Sequence, residues 1–559
     1  MLLTIKKNYS RDGGFFVKRF KKLSFCAVLL TSLAFAGCGA PQAGTSDGGS
    51  TAEQGQTESS PQTMQVNLNT GEPNTIDPGL AEDIPSMSVA RAAFDGLLRL
   101  NEKGELKEAV AEKYEVSEDG LTYTFHLRDS KWSNGDAVTA HDFEYAWKRV
   151  LDPVTASGYA YQLYYLKNGE AFNSKKAKAE DVGVKATDDK TLVVTLENPA
   201  PFFPELVASV TYFPVNQKVV EAGKEWASKP ETYIGNGPFV LKKWEHKSVI
   251  EFEKSDSYWD KAAVKLSKLT VNMIEDANTE LSMFEKGDLD WAGSPLGDLP
   301  LDALDALKDS GKMQSQATAG TYWYIFNTTK KPFDNKKIRQ AFATAVNRKE
   351  ISDNVVPFKS TPATGILPPT MALTPDGYIK DGDVETAKKL LAEGMKEAGL
   401  TELPELTIAY NTTEVNQRIA TVIQDQWRKA FGIEVKLVNK ENKVHREQMK
   451  EGNFTIGRAS WIGDFNDPIN FLEVFKGGLN TSKWENKEFL DLLTQSAKEG
   501  DVAKRKEILK KADAIVMDEM PAMPIYYFTY AWVKQDSVKD VVVDALGFID
   551  FKYASNEKK

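Results

Sequence analysis

The residues that could act as nucleophiles, metal ligands or acid–base catalysts are few and scattered in this sequence. Gly44-Thr-Ser-Asp-Gly48 matches the G-x-S-x-G pattern of a hydrolase nucleophile elbow. Such an elbow needs a strand before it and a helix after it, whereas this segment is polar on both sides. Four single histidines lack the H-E-x-x-H spacing and the cysteine partners of a zinc site: His126, His141, His246 and His445. The sequence therefore predicts no metal or other cofactor and no enzyme, with a secreted hydrolase as the weakest alternative.

The first 37 residues have the composition of a signal peptide. The basic run Val17-Lys-Arg-Phe-Lys-Lys22 precedes an apolar stretch over residues 23–36, which is shorter than the roughly 20 residues that span a bilayer. Phe35-Ala-Gly-Cys38 then resembles the lipobox of bacterial lipoproteins, in which the cysteine carries the lipid. Ala34-Phe-Ala36 also fits ordinary secretory cleavage, and that alternative stays open. We therefore predict an extracytoplasmic protein that is attached to the cell membrane only by a lipid on Cys38.

Composition limits the partners of the exported body. Cys26 and Cys38 are the two cysteines of the chain, so the body beyond residue 38 contains no disulfide. Of 70 basic and 80 acidic residues, residues 1–37 hold seven and one, which leaves a net charge of −16. This charge disfavours nucleic acid as a partner, although solubility alone also explains it. Residues 38–63 are rich in Gly, Ser, Thr, Gln and Pro, so we expect a flexible tether after the lipidated cysteine.

Periodic patterns predict the elements that must position any site. Residues 123–127 alternate as in a strand, and a helix with Thr139 as its N-cap and Asp142 three residues later follows. A further helix, capped at Asp334, is expected to run to Ala345, and another is expected from Val384 to Gly399. The apolar faces of these helices are expected to form core.

One stretch in the second half of the chain predicts a βαβ unit. Residues 406–410 alternate, an apolar helical stripe runs from Ile419 to Ala430, and Gly432 ends it before a second strand at residues 433–437. A strand, a helix and a strand in this order form a parallel pair. The class is therefore α/β with mixed α+β character.

Several segments of the body are similar to those of one family. Tyr123-Thr-Phe-His-Leu-Arg128, Trp132-Ser-Asn-Gly135 and Val138-Thr-Ala-His-Asp-Phe143 with Trp147-Lys-Arg149 resemble the signature of extracellular solute-binding proteins of the dipeptide and oligopeptide type. Further segments agree in the same order: Asn74-Thr-Ile-Asp-Pro78, Gly235-Asn-Gly-Pro-Phe239 with Tyr258-Trp259, Pro332-Phe-Asp334 with Ile338-Arg339, and Trp461-Ile-Gly-Asp-Phe-Asn-Asp-Pro468. Together they cover almost the entire exported body.

The resemblance implies a two-lobed, periplasmic-binding-protein-like fold with an extra subdomain and a ligand cleft between the lobes. Residues 1–37 would be the signal peptide and residues 38–63 the lipidated cysteine with its tether. Lobe I would be discontinuous, and the predicted division is residues 64–94, 219–320 and 530–559 for lobe I, 95–218 for the extra subdomain, and 321–529 for lobe II.

The resemblance also implies a role for the segment Arg458-Ala-Ser-Trp-Ile-Gly-Asp464. In the family, the aspartate at the position of Asp464 pairs with the α-ammonium group of the ligand, while Trp461 and Arg458 lie at positions that line the cleft. By residue type alone, Asp464 is also interpretable as a helix N-cap or loop carboxylate, and Trp461 as a core residue. A charge enclosed between lobes is costly unless it is paired, which suits recognition of a charged ligand end.

Other positions follow from the same resemblance. Glu82, Asp83 and Ile84 align with a loop that supplies backbone contacts to the peptide. Tyr159 and Tyr161 lie in a segment that faces the ligand, and ordinary surface packing is the alternative for both.

The sequence departs from the family where the ligand carboxylate should be bound. Asn416 stands where some oligopeptide receptors place a histidine, and Lys450 and Arg418 are only approximate substitutes. The preferred peptide length is therefore left open.

The predicted function is a monomeric receptor that gives short peptides to the permease and ATPase subunits of an ABC importer. The ligand backbone would pair with protein backbone by strand addition, while side chains would enter roomy pockets. A receptor for peptide pheromones and a carrier of another solute, such as a chelated metal, are alternatives on the same fold.

Overall fold

The computed structural model describes residues 61–356 and 360–558. The predicted signal peptide, Cys38, the tether up to residue 60 and the Gly44–Gly48 motif lie outside the described residues. Among the described residues, we find no helix with both the length and the apolar composition for a membrane span.

Strands and helices are mixed along the chain, with runs of consecutive strands near both ends. In chain order the strands are β1 (Thr63–Asn67), β2 (Leu98–Leu100), β3 (Leu106–Glu108), β4 (Ala111–Val116), β5 (Thr122–Leu127), β6 (Val184–Asp188), β7 (Thr191–Thr195), β8 (Phe239–Glu245), β9 (Val249–Lys254), β10 (Lys268–Asn272), β11 (Trp291–Gly293), β12 (Gln314–Phe326), β13 (Leu406–Asn411), β14 (Val435–Lys440), β15 (Ile456–Ile462), β16 (Ala522–Lys534), β17 (Val538–Lys539), β18 (Val542–Val543), β19 (Ile549–Asp550) and β20 (Ser555–Asn556).

The helices vary from single turns to five turns. They are α1 (Ile84–Ala93), α2 (Ala140–Leu151), α3 (Gly169–Asn173), α4 (Phe203–Leu206), α5 (Gln217–Ala222), α6 (Ala277–Lys286), α7 (Leu304–Asp309), α8 (Lys336–Thr344), α9 (Arg348–Asn354), α10 (Val384–Ala398), α11 (Glu414–Phe431), α12 (Asn442–Glu451), α13 (Ile469–Leu472), α14 (Lys487–Lys498) and α15 (Val502–Glu519).

The larger sheets each gather strands from distant parts of the chain. A six-stranded sheet has the order β11-β16-β12-β15-β13-β14, and two four-stranded sheets have the orders β1-β10-β9-β8 and β4-β5-β7-β6. Three short pairs complete the set: β2 with β3, β17 with β20, and β18 with β19. The second four-stranded sheet lies within the segment predicted as the extra subdomain.

The long antiparallel pair of β12 and β16 runs through the six-stranded sheet. Its register shifts between Ala317, which faces Thr529, and Thr321, which faces Tyr527, so β12 has two extra residues there. The side chain of Phe528 fills the space beside Gly320, where an added Cβ would lie 2.5 Å from Phe528 Cδ2. The predicted boundaries at 320/321 and 529/530 fall inside these two strands, at this irregularity, and they stay predictions.

The predicted βαβ unit is confirmed. β13 and β14 pair in parallel from Leu406 opposite Val435 to Asn411 opposite Lys440. The helix between them, α11, ends at Gly432, whose φ of +70° suits glycine.

The predicted helices are also confirmed, with one correction. Thr139 N–H donates to Asp142 Oδ2 over 2.8 Å at the start of α2, and α10 begins at Val384 and ends before Gly399. The cap of α8 is Asn335, not Asp334, because Asn335 Oδ1 is the atom that accepts from Ile338 N–H.

Several segments that carry the family resemblance converge on the buried Asp95. Tyr258 Oη and Trp259 Nε1 donate to Asp95 Oδ2 over 2.7 and 2.9 Å, and Asn236 exchanges two hydrogen bonds with the Asp95 backbone. Arg99 lies 3.2 Å from Asp95 Oδ1 and also binds Asp550 through two hydrogen bonds of 2.8 Å. These residues therefore join distant parts of the chain through a buried, paired network, which is a structural role.

The two glycines beside Asn236 are required by close packing. A Cβ on Gly235 would lie 2.0 Å from Ala93 O, and a Cβ on Gly237 would lie 2.5 Å from Ala93 C and Phe94 N. The obstructing atoms belong to the backbone at the end of α1, so they cannot turn aside as a flexible side chain would. The Gly235-Asn-Gly237 segment thus sets the distance between this loop and α1.

We expect Gly237→Ala to lower the free energy of unfolding by about 1–3 kcal/mol, the usual cost of overpacking. Urea denaturation followed by circular dichroism measures the change. Gly500→Ala is the matched control, because nothing lies within 4 Å of its added Cβ. Equal stability of the two variants would contradict the packing role of Gly237.

Candidate functional site

Asp464 lies just after β15 and faces residues from the first half of the chain. Tyr161 Oη donates to Asp464 Oδ2 over 2.7 Å, and Asn470 Nδ2 lies 3.5 Å from the same oxygen. Protein atoms surround the carboxylate closely, although part of the residue stays accessible. It forms no ion pair with any described Lys, Arg or His. Burial raises the pKa of Asp464 to about 6, and the Tyr161, Asn470 and Gln162 hydrogen bonds limit the rise.

Trp461 and Asp464 share one partner, Asn470. Asn470 Oδ1 accepts from Trp461 Nε1 over 2.8 Å and from the Asp464 backbone N–H over 3.1 Å. Asn470 is buried and belongs to α13, so it fixes the indole and the carboxylate relative to each other. Asp464 is not a helix cap, because α13 begins after Pro468.

The two tyrosines and Glu82 lie together opposite Asp464. The Tyr159 and Tyr161 rings meet edge to face with centroids 5.7 Å apart. Tyr159 Oη donates to the Glu82 carbonyl over 3.2 Å, and Gly158 N–H donates to Glu82 Oε1 over 2.8 Å. The structure thus brings Glu82, Tyr159, Tyr161 and Asp464 into one cluster.

Asp83 and Ile84 begin α1. Asp83 is the N-cap, and its carboxylate accepts from Ser86 N–H over 2.8 Å and from Asn74 Nδ2 over 2.9 Å. Ile84 is the first helical residue. The Asp83 side chain is therefore used to cap α1. The backbone of the preceding residue, Glu82, lies at the cluster through its contact with Tyr159.

The strand β15 leaves a backbone edge open beside this cluster. β12 covers one side of β15 from Ile456 to Ile462, whereas β13 covers the other side only at Ile456 and Gly457. No described strand pairs with residues 458–462 on that second side. An extended peptide could therefore add to this edge, as in β-augmentation.

Arg458 is a cation at the end of this edge that is farther along the strand from Asp464. Its guanidinium lies 4.6 Å from the centre of the Tyr322 ring, and Nη1 donates to Asn411 Oδ1 over 3.3 Å. Arg458 Nε is buried and has no hydrogen-bond partner, and the side chain forms no ion pair with a described acid. His445 Nε2 lies 2.8 Å from the Arg458 carbonyl.

Asn416 lies next to Arg458, but its amide is already engaged. Tyr322 Oη donates to Asn416 Oδ1 over 3.0 Å, and Asn416 Nδ2 donates to the Asn411 carbonyl over 3.0 Å. Arg418 lies 3.8 Å from Glu414 at the start of α11, in a separate surface groove. Asn416 therefore holds Tyr322 and Asn411, and these two residues contact the Arg458 guanidinium.

A cavity of about 650 Å³ extends from the cluster between residues 161–202 and 450–505. Its walls are largely aromatic and apolar, and Lys450 lies on it together with Tyr161, Trp461 and Asn470. Among the described residues no group of three or more metal-ligating side chains occurs. The arrangement can bind a ligand that has an ammonium group, an extended backbone and side chains of varied size.

Sequence reasoning missed the residues that support Asp464 and Arg458. Asn470 stands two residues beyond the segment that ends at Pro468, and this closeness to Asp464 in the sequence is the one signal that could have indicated it. Gln162 adjoins Tyr161, but its contribution to Asp464 depends on a contact about 300 residues distant in sequence. The sequence indicates nothing of the contact between His445 Nε2 and the Arg458 carbonyl, because the two residues lie in different elements.

The comparisons with known proteins define the class. The model of the bacterial extracellular solute-binding proteins, family 5, matches residues 105–483. The chain is 46% identical over 538 residues to the oligopeptide-binding protein OppA of Bacillus subtilis, covering 94% of this chain and 98% of that protein.

Solved structures agree with this result. The Escherichia coli murein tripeptide-binding protein MppA is 32% identical with a TM-score of 0.77, covering 90% of this chain and 99% of that one. The Haemophilus influenzae OppA complex with RPPGFSPFR is 31% identical with a TM-score of 0.76, covering 89% and 100%.

The chain therefore has the two-lobed α/β fold of peptide-binding proteins, and the predicted fold class is confirmed. It belongs to family 5 of the bacterial extracellular solute-binding proteins.

We expect Tyr161→Phe to raise the pKa of Asp464 above about 6, because the strongest hydrogen bond to its carboxylate is lost. NMR titration of protein with ¹³C-labelled aspartate measures this pKa, and Asp464→Asn assigns the signal. Tyr164→Phe is the control, since Tyr164 Oη donates to Asn173 instead. An unchanged pKa in Tyr161→Phe would contradict the proposed contact.

Proposed function

We propose that this chain is the peptide-binding receptor of an ABC importer and that Asp464 pairs with the ammonium group of the bound peptide. The observation that carries the proposal is a closely surrounded carboxylate with hydrogen bonds but no cation. A cationic ligand end supplies the missing charge, and a charge-assisted hydrogen bond follows. The name and ligand of the relatives, an oligopeptide-binding protein and a complex with RPPGFSPFR, support this assignment.

The open edge of β15 would supply contacts to the peptide backbone, and these contacts do not depend on the sequence of the peptide. Backbone N–H and C=O groups of residues 459–462 would pair with the peptide backbone, and Trp461 and the large cavity would accommodate side chains. Such a site binds many peptides, because its fixed contacts are made to groups that every peptide has. The protein acts by binding and release, without catalysis.

Arg458 is our candidate for the residue that binds the C-terminal carboxylate of the peptide. Its guanidinium retains a free buried donor beside the edge, while Asn411 and Tyr322 hold it in place. Arg458 and Asp464 are six residues apart in the sequence, so their Cα atoms lie at most roughly 20 Å apart. A bound peptide that reaches both groups therefore has to be short.

We expect Asp464→Ala to weaken binding of a free tetrapeptide by about 2–5 kcal/mol, as for loss of one partner of an enclosed charge pair. Isothermal titration calorimetry measures the change. The same peptide with an acetylated N-terminus has no ammonium group, so the substitution should hardly affect its weaker binding. Equal losses for both peptides would contradict the pairing.

Mass spectrometry of ligand retained from a mixed peptide pool tests the function as a whole. Many sequences of similar length would support an import receptor. A single sequence would favour a pheromone receptor, and retention of another solute with no peptide would refute the proposal.

We also propose that a lipid on Cys38 anchors the receptor, as a monomer, to the membrane near its permease and ATPase partners. In the native host cell, Cys38→Ser should release the protein into the soluble extracytoplasmic fraction, because the thiol that carries the lipid is lost. Fractionation and immunoblotting measure this, with Cys26→Ser as the control. Retention of the Cys38 variant in the membrane would contradict the lipid anchor.

A further inference from the structure

The three residues after Asp464 form a second contact between the two sides of the site. One side is the segment predicted as the extra subdomain, residues 95–218, and the other is the segment predicted as lobe II, residues 321–529. Phe465 stacks on Phe202 with ring centroids 4.6 Å apart and planes inclined by 11°, and Asn466 N–H donates to Glu205 Oε2 over 3.0 Å. Asp467 receives two hydrogen bonds, of 2.6 and 2.9 Å, from Arg505. The Arg505 guanidinium lies 5.1 Å from the centre of the Phe202 ring. We call this group the latch: Phe202, Glu205, Phe465, Asn466, Asp467 and Arg505.

The latch is joined directly to the ammonium site. Asn466 is two residues from Asp464, so the hydrogen bond to Glu205 fixes the backbone on which Asp464 stands. Glu205 and Phe202 come from the segment predicted as the extra subdomain, whereas the other latch residues come from the segment predicted as lobe II. The latch therefore exists only while these two segments are in contact.

Glu205 is a partly buried carboxylate that forms no ion pair with a described cation. Asp467 is the nearest charged group of the loop, and Arg505 from α15 pairs with that aspartate instead of Glu205. A cavity of about 400 Å³ on the other side contains Arg91 of α1 and Lys103, and Arg91 lies 3.2 Å from Asp544. Burial, with a smaller effect of Asp467, raises the pKa of Glu205 to about 7 despite the hydrogen bond from Asn466.

We infer that Glu205 is a positioning residue that couples closure of the latch, and thereby peptide capture on Asp464, to uptake of a proton. The part that concerns peptides rests on the proposed function, while the part that concerns closure does not. Glu205 acts through Asn466 and does not itself contact the peptide.

The direction of the coupling follows from the environment of Glu205 in the two states. When the latch opens, water reaches the carboxylate and its pKa returns towards the ordinary value near 4.5. The closed state then holds more protons than the open state around neutral pH, so closure is favoured as the pH falls. With pKa values of about 7 and 4.5, the closing equilibrium rises roughly fourfold between pH 8 and pH 6.5.

The first test measures peptide affinity at pH 8 and pH 6.5, above the pKa of Asp464. Because the peptide ammonium itself titrates near pH 8, the effect of Glu205 is the difference between the wild type and Glu205→Gln, which keeps an acceptor for Asn466 N–H but carries no titrating group. Between pH 8 and pH 6.5 the wild type should gain about fourfold more affinity than Glu205→Gln gains. Glu280→Gln is the matched control, because Glu280 also has a pKa raised to about 7, yet it binds Asn69 and Gly293 far along the chain from the latch. Glu280→Gln should gain as much affinity as the wild type, and an equal gain in Glu205→Gln would overturn the inference.

The second test needs no peptide. Spin labels are attached at Lys178→Cys and Lys487→Cys, two exposed positions on the two sides, since the body contains no other cysteine. Pulsed dipolar spectroscopy should show a larger closed population at pH 6.5 than at pH 8, and a clearly smaller difference in the Glu205→Gln background, where Asp464 and Glu473 still titrate. An unchanged distance distribution in the wild type would overturn the coupling. Failure of peptide binding with a pH-dependent distance would refute only the proposed function.

Discussion

The carboxylate of Asp464 is the constraint on which the site depends. A closely surrounded anion is stable only when hydrogen bonds or a counter-charge compensate for lost water. Here Tyr161 and Asn470 supply hydrogen bonds, but no described cation forms an ion pair with the carboxylate. Tyr159, Trp461 and the latch are arranged around this group, so much of the surrounding structure determines its position.

The site is assembled from segments that share little local sequence. Tyr161 and Asp464 are 303 residues apart, and Glu205 and Asn466 are 261 residues apart. Each of these four residues makes one contact across the site through its side chain or its backbone. The strands and helices to which they belong or on which they are packed keep these contacts in place. This division resembles that of binding proteins in which a fixed scaffold presents a few polar groups in an apolar cleft.

Much of the fold could be predicted from sequence because its signals are local. The alternation at residues 406–410, the stripe of α11 and the stop at Gly432 each depend on neighbours within about one element, and the structure has all three. The cap of α8 was placed one residue early because Asp334 and Asn335 are both good caps, and only the backbone decides between them. The family resemblance gave the candidate Asp464, which its residue type alone does not distinguish from a loop carboxylate.

The rest of the site depends on contacts that no local pattern encodes. Asn416 is engaged by Tyr322 and Asn411, and the sequence does not indicate that its amide is occupied. Likewise, the segments that identify the family, such as Tyr258-Trp259 and Gly235-Asn-Gly237, converge on Asp95 rather than on the site. A family signature of this kind reports the fold more directly than the ligand.

The continuous strands β12 and β16 restrict how the two sides of such a receptor can separate. A hydrogen-bonded ladder resists sliding and stretching, whereas bending and twisting keep most of its bonds. Bending concentrates where the ladder is already irregular, between Ala317 and Thr321. A bend at this point would be set by the backbone of the two strands rather than by the side chains that line the cleft, so mutations of those side chains would leave its direction unaltered.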